Sequence, residues 1–486
     1  MNTEKSRLSP RKIISNLIIP STKEVRAHKL VEGTPYPSRS PYGYSRLAAT
    51  VIHVPKKEIN HFLDVIVKRY IKTLKTEAFS FITRNKDFVE TSDSELEQMI
   101  VHSVFCRFLN STLDPDDYEI FHPLLKKQYE GEYLKIDLAH LDRMERIRPY
   151  HFCASKTLFR RNKNGVHLLG IYMNGLLMEP GDADWERAKL FLIQGLCMSV
   201  LIHEHPKQHF GYDAINGLTK CLIPEGHIVH RLLRPHLYMQ LPLNFAVLYV
   251  NKSVALNDQN EPYTCFPNTR EGTIESLAAS YEGIEGNSSY PKFKYKLHPE
   301  EIHFDFGEFL KGYWELTYQF VESFLMDMKR NDPLISAWAK DVSFFVPGFP
   351  NEEEIWKDNN LEKALTTFIY NVSFAHSADH YTYSKTKINQ VPSRIRVRPP
   401  SNERRGEPLN KEKIFNRTDL HKHHLAMEMF FKPTNLITIL EATYPTKTVN
   451  ERLAVEDFKD ALELREENLK IPNYIPLSEV ACSIQY

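Results

Sequence analysis

Between Ile59 and Leu74 the apolar positions Phe62, Val65, Ile66, Val67, Tyr70, Ile71 and Leu74 recur at helical spacing and predict an amphipathic helix. Ser92-Asp93-Ser94-Glu95 carries a capping signal, a hydroxyl followed three residues later by a carboxylate. It opens a second helix predicted to reach Phe108 and Leu109. Thr157 to Arg160 and Val166 to Tyr172 alternate apolar and polar around Asn162-Lys163-Asn164-Gly165, the pattern of a β-hairpin. The longest apolar stretch, Leu190 to Ile202, is interrupted by Gln194 and predicts a buried helix. Residues 1–45 are basic and rich in Ser and Pro, and read as a flexible arm or a strap over the surface.

Composition narrows the function classes. The chain has 486 residues, enough for a sizeable core. Its 62 Lys and Arg balance its 62 Asp and Glu, so no net field argues for nucleic acid or a membrane surface. No apolar run reaches the eighteen or so residues of a transmembrane span, which leaves peripheral membrane contact through the basic arm. The N-terminus lacks the apolar stretch of a signal peptide. Six cysteines are scattered without a Cys-x-x-Cys pair, which fits a reducing compartment and a cytoplasmic location.

Candidate chemistry sits toward the C-terminus. His376 and His380 are four residues apart, so on a helix both imidazoles share a face. Imidazole suits iron, zinc or copper. The chain ends at Ser483-Ile484-Gln485-Tyr486 in a largely apolar tail. A buried terminal carboxylate would need a partner or a metal. Two core histidines and a docked tail are the plain alternative.

The residues around these features resemble the lipoxygenase family. Leu365 to Tyr370, followed by Ser373 to Tyr383, is similar to that family's iron-binding helix. The tail through Tyr486 is similar to the family's C-terminus, with Tyr in place of the usual Ile. Asp184-Trp185 to Lys189 is similar to the opening of the family's central helix, and His227 to His236 to its His-Pro…Pro-His segment. Asn331 to Trp338 and Val391 to Pro400 match two later motifs in family order. The resemblance implies a mainly α fold: one lipoxygenase-like catalytic domain over 46–486, with a long central helix through 186–205 and small β-hairpins. The family's N-terminal β-barrel has no counterpart ahead of the match.

The resemblance also implies a site. Metal ligands would be His376, His380, the terminal carboxylate of Tyr486, and two histidines of the central helix. The family spaces that second pair His-x-x-x-x-His across a π-type widening, and a further histidine is not a ligand. Here forward and backward counts differ by one residue. The first ligand position falls on Ser199 or Val200, and the backward count makes His209 the non-ligand histidine. His203, His205 and His209 cluster there. His205 and His209 share a helix face, His203 is the substitute, and loss of one ligand is the remaining alternative. Pro206 is expected to push His205 out of α geometry and kink the helix. Asn244 and Phe245 fall at the position where the family controls oxygen access, with Phe in place of a small residue. Phe344 to Val346 and Phe245 to Val250 are expected to line an apolar cleft.

The activity implied is that of a non-haem iron dioxygenase, with manganese as the alternative metal. It inserts O2 into a polyunsaturated fatty acid to give a hydroperoxide. No side chain acts catalytically beyond a metal-bound hydroxide. The rival reading keeps the fold with altered chemistry: a non-lipid oxygenase, or a non-catalytic binding protein.

Overall fold

The computed structural model describes residues 29–30, 52–83, 87–249, 266–269, 272–273, 304–387, 389–432, 436–471 and 474–486. The arm expected over 1–45 lies outside the described residues, apart from Lys29–Leu30, which pairs antiparallel with Ile52–His53.

The first long helix spans Lys56–Thr83. Ile59, Phe62, Leu63 and Ile66 form its buried stripe as the spacing predicts. Further on the stripe turns polar: Arg69, Thr73 and Glu77 are buried, whereas Ile71 and Leu74 face outward. Apolar spacing alone placed the last two in the core. The next helix, Asp93–Val101, starts with the predicted capping box at Ser92 but ends about two turns early. Ser103 breaks it. Its hydroxyl donates to the Met99 carbonyl and accepts from the Phe105 N–H, starting a separate 3₁₀ turn at Val104–Phe108.

The predicted hairpin is present as Lys156–Asn162 and Gly165–Met173, with Gly165 at a positive φ of 125° in the turn. Two further strands extend it to a four-stranded antiparallel sheet: Glu132–Asp137 beside the first strand and Leu176–Met178 beside the second. The sheet is small and peripheral; the core is helical.

The central helix runs Trp185–Met198, widens into a π-helical stretch at Ser199–Glu204, and continues as Ala-poor but regular α structure over His205–Phe210. Nearly every side chain from Trp185 to Ile202 is buried, as expected for a helix hydrophobic all round. The Nε2 of its Gln194 donates to the carbonyls of His151 and Ser393. Pro206 does not expel His205 from helical geometry (φ −57°, ψ −40°). The wide π turn moves the preceding carbonyls away from the proline ring, and Pro206 sits in the first turn of the restarted helix, where its missing N–H costs least.

A second buried helix has the same construction: Asn360–Tyr370, a π stretch at Asn371–Ala375, then His376–Lys385. Asp305–Phe324 packs against it and against Val449–Asn468, where the rings of Phe320 and Phe458 stack with centroids 4.3 Å apart. The Arg-rich run near Pro400 is built into the fold. Arg394 is buried over the Tyr150 ring and Arg396 pairs with Asp419. Among the described residues no helix is long and apolar enough to cross a membrane.

Candidate metal centre

The two π-interrupted helices bring four histidines together. His205 and His209 come from the central helix, His376 and His380 from the second. Their Nε2 atoms form an open chain: His376 to His209 at 3.1 Å, His209 to His205 at 2.9 Å, His205 to His380 at 3.1 Å. All four rings are buried.

What faces the other ring nitrogens decides what this cluster can do. His205 Nδ1 donates to Asp379 Oδ2 at 3.1 Å. His209 Nδ1 donates to Asn244 Oδ1 at 3.1 Å, and His380 Nδ1 to the Phe431 carbonyl at 3.1 Å. The Asn244 amide is fixed in this sense because its Nδ2 donates to the His209 carbonyl at 2.8 Å. A neutral imidazole has one N–H, so an occupied Nδ1 leaves Nε2 as a bare lone pair. Three bare lone pairs therefore point at one another, about 3 Å apart, with no proton to share. Protonation would supply one, but burial holds His209, His376 and His380 well below the usual histidine range. The neighbouring imidazoles lower them further, and for His376 the Tyr486 main chain opposes the effect. Facing lone pairs in a buried space suit a cation. Iron, manganese and zinc all accept neutral imidazole, and so the four residues fit a transition metal.

Tyr486 closes one side. Its ring lies edge-on to His380 at 4.1 Å and to His376 at 5.2 Å. The strap that carries it, Ala481 to Tyr486, is wholly buried. It is tied at three points. The Ala481 N–H donates to Ser377 Oγ, His236 Nδ1 donates to the Cys482 carbonyl at 2.6 Å, and the Gln485 amide exchanges two hydrogen bonds with the Ile437 backbone.

The remaining expected residues fall elsewhere. His203 is outside the cluster: its ring stacks on His140 at 4.4 Å and its Nδ1 bonds Glu204. Ser199 and Val200 are buried, with Ser199 Oγ bonded to the Gly195 carbonyl and to His140. The histidines that this helix brings to the cluster are His205 and His209, four residues apart. Asn244 holds His209. The side chain of Phe245 lies outside the described residues, as do those of Leu248 to Val250. Phe344 is 70 % exposed and lines no enclosed cleft, because it lies on the outer face of Pro333–Phe345.

Sequence reasoning passed over Asp379 and Arg107. Asp379 Oδ1 accepts from Arg107 Nη2 at 2.5 Å while its other oxygen holds His205. A carboxylate between two histidines four residues apart was a readable signal; an arginine 272 residues away was not. A second group of possible ligands, Glu77, His424 and Glu428, is balanced internally. His424 donates to Glu77 and Glu428 pairs with Lys432. Cavities of ≈ 460 Å³ and ≈ 270 Å³ share Tyr238 and Met239 as a wall, and the smaller reaches Arg69 and Gln485 beside the strap.

Comparison with solved structures identifies the fold as that of lipoxygenase catalytic domains. The manganese lipoxygenase of Gaeumannomyces graminis matches 92% of this chain and 95% of its own, with a TM-score of 0.71 and 14% identity. A lipoxygenase crystallised anaerobically with arachidonate matches 95% and 80%, at 0.69 and 13%. A coral 8R-lipoxygenase matches 87% and 75%, at 0.67 and 16%. No protein-family model and no curated protein sequence matches the chain.

Proposed function

We propose that this chain is a metal-dependent dioxygenase that inserts O2 into a polyunsaturated fatty acid to give a hydroperoxide, with iron or manganese as its metal. The observation that carries the reading is the convergence of four buried imidazoles, three of them with Nδ1 committed to an oxygen acceptor. His205, His209, His376 and His380 would hold the metal, with the terminal carboxylate of Tyr486 as a further ligand. When bound, such a metal supplies the one-electron redox chemistry that removes a hydrogen atom from a bis-allylic CH2.

The chain's own residues do the rest. Asp379, Asn244 and the Phe431 carbonyl fix ring orientation and tautomer, so the donor set is formed before the metal arrives. Burial keeps the His209, His376 and His380 imidazoles neutral. The smaller cavity beside Tyr238 reaches the strap at Gln485, where Lys68 and Arg69 line it and offer positive charge to a fatty-acid carboxylate. Two fold neighbours support the choice of metal and substrate by what they are: a manganese lipoxygenase, and a lipoxygenase complexed with arachidonate.

The test is metal analysis of the purified chain followed by oxygen uptake with linoleate and arachidonate. About one iron or manganese per chain, and conjugated-diene absorbance rising with oxygen consumption, are expected. Metal-loaded protein that consumes no oxygen with either acid would transfer the assignment to a non-lipid oxygenase. Protein that takes up no metal would leave a binding protein on an oxygenase fold.

A further inference from the structure

The four histidines are not equivalent, and the difference is electrostatic. His209 and His380 donate Nδ1–H to neutral oxygens, an amide and a backbone carbonyl. Of the three rings whose Nδ1 is hydrogen-bonded in this way, only His205 donates to a side-chain carboxylate, Asp379. We propose that Asp379 is a positioning residue that makes His205 the strongest imidazole donor of the centre, and that Arg107 holds Asp379 for that task. This rests on the reading of the cluster as a metal site.

The geometry is built from both ends. Asp379 lies between His376 and His380 on the same helix, almost wholly buried, and turns its two oxygens to different partners. Oδ2 takes the His205 proton. Oδ1 takes an Arg107 N–H at 2.5 Å. Arg107 is itself aimed, because its Nε donates to the Val104 carbonyl of the 3₁₀ turn that Ser103 starts. The guanidinium is therefore tethered at one edge and offers the other to the carboxylate. Burial opposes its charge, but Asp379 and Glu204 together hold it protonated.

A hydrogen bond to an ionised acceptor is stronger than one to a neutral acceptor. It draws Nδ1–H toward the carboxylate and pushes electron density to Nε2. Carboxylate–histidine pairs of this kind raise ligand basicity, and their loss commonly weakens metal binding 10- to 100-fold. A richer donor also favours the higher oxidation state of a redox metal. The arrangement thus biases one imidazole of four toward holding the oxidised centre, while Arg107 keeps the added negative charge balanced.

The experiment compares wild type, Asp379→Asn and the double variant Arg107→Met with Asp379→Asn. Affinity for Mn(II) and Fe(II) is measured by chelator competition, and the reduction potential of the iron-loaded protein by titration. Asp379→Asn keeps the shape and an acceptor oxygen but removes the charge. It should bind either metal about 10- to 100-fold more weakly and shift the potential to more positive values. The double variant removes the stranded arginine charge, so a purely structural defect would be repaired in it. The expected result is that the affinity loss and the potential shift persist there. Affinity within twofold of wild type in Asp379→Asn, or its recovery in the double variant, overturns the proposal and leaves the metal-site reading intact. Wild-type protein that binds neither metal overturns both.

Discussion

Lowering the pH from 8 to 5 should loosen the strap that carries Tyr486, and His236 is the group through which it does so. His236 is fully buried, donates through Nδ1 to the Cys482 carbonyl and accepts at Nε2 from the Tyr444 hydroxyl at 3.0 Å. Burial pulls its pKa down to about 4 from 6.5. Its neighbours cannot compensate, since Tyr444 is raised far above its usual range and the Cys482 thiol to about 12, so both stay neutral throughout. The unfolded chain binds the proton near pH 6.5 and the folded chain only near 4. The contribution to stability is therefore complete above 6.5 and is lost as the pH falls below it. Between pH 8 and pH 5 the loss from this one group is about 2 kcal/mol. His236→Gln keeps a donor for Cys482 but does not titrate. Denaturant unfolding of metal-free protein at the two pH values should show a pH-dependent loss smaller by about 2 kcal/mol in the variant than in wild type. Equal losses in the two proteins would refute the assignment. His423, also buried and lowered to about 4, should behave in the same way and provides an internal comparison.

Three other outcomes follow from named contacts. His376→Ala should strip the metal, and full metal occupancy in that variant would make the histidine pair structural. Adding one glycine after Tyr486 moves the terminal charge and leaves a neutral amide beside His376. Metal content should fall sharply while the helical circular dichroism persists, and an extended protein that keeps its metal would reduce the tail to packing. Phe320→Ala removes a buried ring stacked on Phe458 and packed against Tyr444, and should cost about 3–5 kcal/mol of stability without changing metal stoichiometry. A change in metal per folded chain would show that this helix pair also shapes the centre.

The parts of the fold read correctly from sequence were those with a local cause. The capping box at Ser92, the turn at Gly165 and the apolar run after Trp185 each carry their own instruction. So do His376 and His380, because i, i+4 spacing on a buried helix leaves little freedom. What stayed hidden depends on partners far away in sequence. Ile71 and Leu74 continue an apolar period yet face outward, since the interior opposite that part of the helix is polar: Arg69 lies over the Tyr486 ring and Glu77 holds His424. Glu132–Asp137 alternates weakly, and its strand is stabilised by Lys135 reaching Asp114 and Asp117.

The two histidine helices share a feature that bears on the site. A π turn holds one residue more than an α turn, so it rotates everything after it by about 100° relative to a regular helix. Both histidine helices place such a turn immediately before their first histidine, at Ser199–Glu204 and at Asn371–Ala375. A third π turn, Met427–Phe431, ends in the carbonyl that accepts from His380. In each helix the extra residue sets the phase of the histidines independently of the apolar stripe that buries the rest. Deleting one residue from Ser199–Glu204 should turn His205 and His209 away from His376 and His380 while sparing the helix as a helix. Metal content that survives this deletion would contradict the account, because the donor set would then not depend on the phase the π turn imposes.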